Sequence, residues 1–247
     1  KDTLLDLISK FIFVEKKEKI DPDTKKKKKS ETLIFPRYHQ LDCVRKVMQD
    51  VQEHGTSQNY LIEHSAGSGK TNSITWLAYR FASLHNAENQ QIFDKIIVVT
   101  DRVIVDQQLQ RAILSIEHKE GMVRNMDDKC TSADLQKALE SNVKIVGTTI
   151  QKFPYIVDSV RSLKDKHFAV IIDEAHSGHS GRNSANMNLA LSGLATDDDA
   201  DNEDKINAMM EGRKLVSSAS YVAFTATPKN KTEEMFGVAY EEDGEIK

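Results

Sequence analysis

A chain of 247 residues with 39% hydrophobic and 29% charged residues can fill one full core, and is too apolar to be a disordered segment. Its formal net charge of −4 argues against a domain held on nucleic acid by phosphate contacts alone; yet the acid is bunched in "DDDADNED" at 197–204 and in the terminal "YEEDGEIK", and the remainder is slightly basic. Cys43 and Cys130 have no metal-ligand spacing and fit free thiols in a reducing compartment, and neither a run of about 18 apolar residues nor a signal-peptide layout is written, so a cytosolic protein is expected.

Taken in chain order, "TLLDLISKFIFV" at 3–14 places Leu4, Ile8, Phe11 and Ile12 on one helical face and predicts a short docked helix. The following "EKKEKIDPDTKKKKKSE" is too charged to pack, and its five consecutive lysines at 25–29 read as a solvated loop, with phosphate contact as the alternative. "RYHQLDCVRKVMQDVQEH" sets Leu41, Val44, Met48 and Val51 at helical spacing, with Gly55 as the stop. Five short β-branched runs then follow, at 60–63, 95–100, 143–147, 168–173 and 221–225, without the polar alternation of a half-exposed strand. Helical patterns separate them: Ile74, Leu77, Ala78 and Phe81; then Val105, Leu109, Ala112, Ile113 and Ile116; then Leu135, Ala138 and Leu139. This alternation predicts an α/β fold, a mostly parallel sheet with helices on both faces. Between Asn183 and Ser218 a helix near "NMNLAL", the acidic loop and a helix around "KINAMMEGRKLV" are expected.

Three segments carry chemistry. In "HSAGSGKT" at 64–71, Gly67 and Gly69 let the backbone curl and turn its N–H groups toward a phosphate chain, with Ser68 between them, at the mouth of a helix starting near Thr71. Lys70 is placed to reach the β and γ phosphates and Thr71 to offer its hydroxyl to Mg2+. The strict P-loop pattern wants glycine where His64 stands, but the spacing G-x-G-K-T is whole. In "FAVIIDEAHSG", Asp173 closes a buried strand where a carboxylate can hold Mg2+, and Glu174 follows where it can orient and deprotonate an attacking water. His176, next but one, is assigned a coupling role in catalysis. In "YVAFTATPK", Thr225 and Thr227 end another buried strand on the same edge of the sheet, placed to sense the γ-phosphate.

These segments, in this order, resemble superfamily 2 helicases and translocases of DEAH-type spelling. More narrowly, "LLDLISKFIFVEK", "RYHQLDCVRKV", "DEAHSGHSG" and the stretch from Phe224 to Gly237 look like the motor (R, HsdR) subunit of type I restriction-modification enzymes. The resemblance implies a RecA-like P-loop NTPase lobe that uses ATP and Mg2+. It makes Gln40 of "RYHQ" the adenine contact, and makes Arg102, Thr148, Thr149, Gln151 and Lys152, in "VVTDRVIVDQQL" and "VGTTIQKF", backbone contacts to double-stranded DNA. It further implies ATP-driven translocation before cleavage, methyltransferase (M) and specificity (S) subunits as partners, and a bacterial or archaeal cytoplasm. Residues 1–36 are expected to form a linker helix and lysine-rich loop, and 37–247 the first motor lobe. The nuclease domain and the second lobe are expected to lie outside this chain, so that the isolated lobe turns over slowly for want of the second lobe's arginines. Other superfamily 2 translocases or repair helicases, and a non-hydrolysing nucleotide switch, remain the competing readings; Glu174 counts against the last.

Overall fold

The computed structural model describes residues 2–20, 27–100, 122–126, 130–149, 155–156, 159, 163, 165–173, 219–226, 241–242 and 245–246. Its centre is a six-stranded sheet in the order β3-β8-β7-β4-β6-β5, every neighbouring pair parallel. The strands are β3 (Asn59–Glu63), β4 (Lys95–Thr100), β5 (Val123–Asn125), β6 (Ile145–Thr149), β7 (Phe168–Asp173) and β8 (Ala219–Thr225). All residues of β4, β6, β7 and β8 are buried, which is why these runs read as continuous apolar sequence.

Alternation along the strands sorts their side chains to two faces. On one, Ile96, Val98, Ala169, Ile171, Val222 and Phe224 pack with α2 (Tyr38–His54) and α3 (Lys70–Ala82). On the other, Ile97, Val99, Phe168, Val170, Ile172 and Tyr221 pack with Leu135, Ala138 and Leu139 of α4 (Ser132–Glu140). α2 buries Val44, Met48 and Val51 as the spacing predicts and stops at Gly55, whose φ of 77° is in the region glycine favours. α4 starts with a reciprocal cap: Asp134 N donates to Thr131 Oγ1 and Thr131 N donates to Asp134 Oδ2.

The N-terminal part departs from expectation in three ways. The helix α1 is shorter, Asp2–Lys10, and the chain then enters β1 (Phe13–Ile20), which pairs antiparallel with β2 (Lys27–Ile34). The charged stretch expected as a loop is therefore largely a two-stranded ribbon. Composition hid it because a ribbon needs no apolar alternation beyond its base, where Phe13 lies opposite Ile34. The face of α1 also differs: Leu4 and Ile8 are 59% and 55% exposed, whereas Phe11 is buried and Leu7 packs on the core. Charge sets this orientation, because Asp6 receives hydrogen bonds from Arg45 and Arg80 at 3.1 and 3.0 Å. Burial alone would raise the Asp6 carboxyl; the adjacent Arg80 charge and hydrogen bonds from Arg45, Lys10 and Arg80 outweigh it and hold it below the usual range. Trp76, fully buried on α3, completes the anchor by donating from Nε1 to Phe11 O at 2.8 Å, with Phe11 and Phe13 against its ring.

β6 begins two residues later than the run at 143–147, and β5, three residues long, had no usable sequence signal. Among the described residues no helix is long and apolar enough to cross a membrane. The expected helices at 105–116 and within 183–218 lie outside the described residues.

Candidate nucleotide site

The carboxyl ends of β3, β8 and β7 lie side by side, and the candidate site is built on them. Register sets Glu63 beside Thr225 and Asp173 beside Phe224, so at about 4.8 Å per strand the end of β3 stands roughly 10 Å from that of β7. His64 N continues the ladder one residue past β3 by donating to Thr225 O at 2.9 Å. The chain then turns through residues 64–69 into α3, whose N-cap Gly69 is left-handed, φ 86° and ψ 38°. Gly67 shares a positive φ of 77°. A side chain at Gly69 would be strained, and its Cβ would stand 2.5 Å from Gln40 Nε2. Among the described residues nothing lies within 4 Å of a Cβ at Gly67.

Lys70 is 8% exposed and donates from Nζ to His64 O at a long 3.4 Å, which folds its ammonium back over the loop. Thr71, on the first turn of α3, is half-buried, and Ser68 Oγ is buried with no hydrogen-bond partner among the described residues. Asp173 is 4% exposed at the end of β7, and Thr225 is fully buried at the end of β8. A glycine-rich turn, a lysine, a hydroxyl and a carboxylate thus share one edge of the sheet. This donor set fits a phosphate chain with Mg2+, since that cation takes one or two protein oxygens and completes its shell with phosphate oxygens and water. Thr71 and Asp173 are the residues that would hold it. Among the described residues no group of three or more His, Cys, Asp or Glu side chains could hold a metal unaided.

Gln40, the expected adenine contact, is 2% exposed and already engaged. Its Nε2 donates to Ser68 O at 3.1 Å and Gly69 O at 3.0 Å, while Oε1 accepts from Arg37 N at 2.8 Å. A base would have to use the remaining lone pair of Oε1 or displace a loop carbonyl. His39 and His64 were not singled out as site residues by their spacing, yet both belong to this wall. The His64 ring is edge-on to His39 at 5.2 Å and to Phe224 at 5.9 Å. Burial, then the charges of His39 and Lys70, push its pKa below the ordinary histidine value.

Of the DNA-contact candidates, Thr148 and Thr149 are buried at the end of β6, Thr149 beside Thr100 of β4. The hydroxyls of all three have no hydrogen-bond partner among the described residues. Contact with DNA would require them to be uncovered. Arg102, Gln151, Lys152, Glu174, His176 and Thr227 lie outside the described residues.

A parallel sheet with a glycine-rich turn after β3 and a carboxylate at the end of β7, two strands away, has the layout of a P-loop α/β lobe. The SWI2/SNF2 ATPase family model matches residues 39–242. The chain belongs to that family. Two Methanocaldococcus jannaschii proteins, named provisionally as type I restriction enzyme endonuclease subunits, are similar to it: MjaVIIP is 33% identical over 62% of this chain, and MjaIXP 25% over 92%. The chain spans only 14% and 18% of their lengths. Solved structures agree on the fold. The Pyrococcus furiosus Hef helicase domain (16% identity, TM-score 0.50) and a DEAD box protein from the hyperthermophile Methanococcus jannaschii (18%, TM-score 0.50) each align with 81% of this chain, which covers 34% and 46% of theirs.

Proposed function

We propose that this chain is the first motor lobe of a type I restriction endonuclease R subunit, binding ATP with Mg2+ and coupling its hydrolysis to translocation on double-stranded DNA. The observation that carries the reading is the left-handed Gly69 at the head of α3, with Lys70 folded behind it and Asp173 two strands away. Similarity to the two restriction subunits supports the narrower assignment.

Residues 67–71 would cradle the phosphates, backbone N–H groups and the α3 N-terminus facing the anion. Lys70 would turn from His64 O toward the phosphate oxygens. Mg2+, held by Thr71 and Asp173, would supply charge neutralisation for the phosphates. Glu174 would orient the attacking water and take its proton, His176 would couple the cleft to the DNA track, and Thr225 and Thr227 would register the γ-phosphate. Arg102, Thr148, Thr149, Gln151 and Lys152 would form the DNA side; hydroxyl and amide groups grip phosphates without reading bases, as an engine passing over any sequence requires. Methyltransferase and specificity subunits are the proposed partners.

The test is ATP hydrolysis by the full-length protein, with the subunits encoded beside it, with and without long duplex DNA bearing an unmodified recognition site. Strong stimulation followed by random cleavage is expected. Stimulation without cleavage favours a plain superfamily 2 translocase, and nucleotide binding with no turnover under any condition favours a switch.

A further inference from the structure

The loop is gripped from one side by the first turn of α2. His39 Nε2 lies 3.2 Å from Ser68 O, and Gln40 Nε2 donates to the same oxygen at 3.1 Å and to Gly69 O at 3.0 Å. A carbonyl only accepts, so this contact is a hydrogen bond when His39 carries its proton on Nε2. The direction of these carbonyls matters because the peptide unit is planar and trans. Drawing Ser68 O toward α2 turns Gly69 N–H the opposite way, and drawing Gly69 O toward α2 does the same for Lys70 N–H. These two amides are thereby aimed away from α2, as a phosphate-receiving turn needs.

The other end of the loop is held by the same ring. His39 meets His64 edge to face, with centroids 5.2 Å apart and planes at 84°, inside the range such pairs prefer. His64 in turn is fixed by its N–H on Thr225 O, by Phe224 against its ring, and by its carbonyl on Lys70 Nζ. Where the strict pattern has glycine, this chain therefore has a buried ring that gives His39 something to lean on.

We propose that His39 is a positioning residue of the phosphate loop, spanning its first and fifth residues: its ring rests on His64 while Nε2 holds Ser68 O, setting the loop's opening and the aim of the Gly69 amide. The inference rests on the nucleotide reading given above. Because Gln40 shares the carbonyl, losing the His39 donor loosens the loop and does not collapse it.

The experiment is an equilibrium titration of the full-length protein with fluorescent N-methylanthraniloyl-ADP and Mg2+ at pH 8, with thermal melting alongside. His39→Phe keeps a ring against His64 but has no donor; binding falls by about three- to tenfold, the scale of one hydrogen bond, and the melting temperature holds. His39→Gln puts an N–H near the position of Nε2 and recovers wild-type binding, whereas His39→Asn, one methylene shorter, does not. In hydrolysis assays the loss falls on KM with kcat retained. Wild-type binding by His39→Phe and His39→Asn overturns the proposal, as does equal loss in the Gln and Asn variants, which would make the ring's packing the whole effect. Lys70→Ala separates the two readings: if it binds nucleotide like the wild type, the nucleotide site itself is misassigned.

Discussion

Two lysines are buried at opposite ends of the central sheet, and their surroundings differ. Lys70, 8% exposed, stands at the carboxyl ends of the strands on a glycine turn and reaches His64 O at 3.4 Å. Lys95, 4% exposed, opens β4 at the other end and donates to Ser141 O and Val143 O, just past the end of α4. Lys166 supports it by donating to Leu139 O. Lys95 therefore closes the carbonyl end of a helix, where orphan acceptors and the negative end of the dipole favour a cation. Burial of a charge alone does not mark a site. What differs is the setting: Lys70 stands beside a glycine turn at the strand ends that carry the candidate site, whereas Lys95 is built into the carbonyl end of the helix and belongs to the frame.

Removing each ammonium sharpens that contrast. Lys70→Ala is expected to weaken Mg-nucleotide binding by more than about a hundredfold, since charge-assisted bonds to phosphate are worth about 1.5–3 kcal/mol each, and to leave the melting temperature near wild type. Glu174→Gln, in the proposed base, is expected to retain binding and lose hydrolysis; equal loss of binding in both variants breaks the assigned roles. Lys95→Met is expected to do the reverse of Lys70→Ala. Nucleotide binding holds while stability falls by about 1–3 kcal/mol, because two buried carbonyls lose their donor; chemical denaturation measures it. If Lys95→Met abolishes nucleotide binding in a folded protein, the two ends of the sheet are not separable as described.

Gly69→Ala probes the turn itself with a smaller effect. The left-handed backbone costs a non-glycine residue about 1 kcal/mol, and the added Cβ displaces Gln40 Nε2, which lies 2.5 Å from its position. A fall in nucleotide affinity of about tenfold is expected. Gln40→Ala in the same chain relieves the steric part, but it leaves the strain and also removes the two bonds Gln40 makes to the loop carbonyls, so the double variant is not expected to return to wild-type affinity.

How much of this was legible depended on where the signal resides. β4, β7 and β8 announced themselves because both faces are buried, and Lys70 because the phosphate turn has a fixed local spacing. The ribbon β1–β2 did not, since the apolar pair Phe13 and Ile34 lies at its base and the rest is mostly charged sequence, and the orientation of α1 did not, since Asp6 finds Arg45 and Arg80 across 39 and 74 residues. For His64 the sequence offered only a departure from glycine, and for His39 nothing, because its contact with Ser68 spans 29 residues and exists only once α2 lies against the loop. In sequence Lys95 is only the first residue of the run 95–100; its acceptors, Ser141 O and Val143 O, lie beyond α4 and 46 and 48 residues away.

The smallest expected effect is on pH dependence, and it belongs to the framework lysine. Burial, then the nearby Lys166 and Lys144 charges, lower the Lys95 pKa to about 8, against a weaker opposing pull from Asp94. The unfolded chain, with an ordinary lysine value near 10.4, therefore binds more protons than the folded one from about pH 8 upward. Stability contributed by this group rises as pH climbs through that window and is flat below it, since both states are then protonated. Other groups act against it: Tyr60, half-buried and hydrogen-bonded to Asp50, and Lys46, held by Asp42, are both raised. The raw alkaline profile mixes these, so the informative quantity is the difference between wild type and Lys95→Met, measured by urea denaturation at pH 7.5 and pH 10. In the variant the Lys95 contribution vanishes while the others persist. The stability gap between the two proteins is expected to change with wild type gaining on the variant as pH rises, up to the point where the deprotonated amine still donates to the two carbonyls. A gap that does not move would mean that Lys95 titrates in the fold as it does in water, and that the carbonyls it meets compensate fully for its burial.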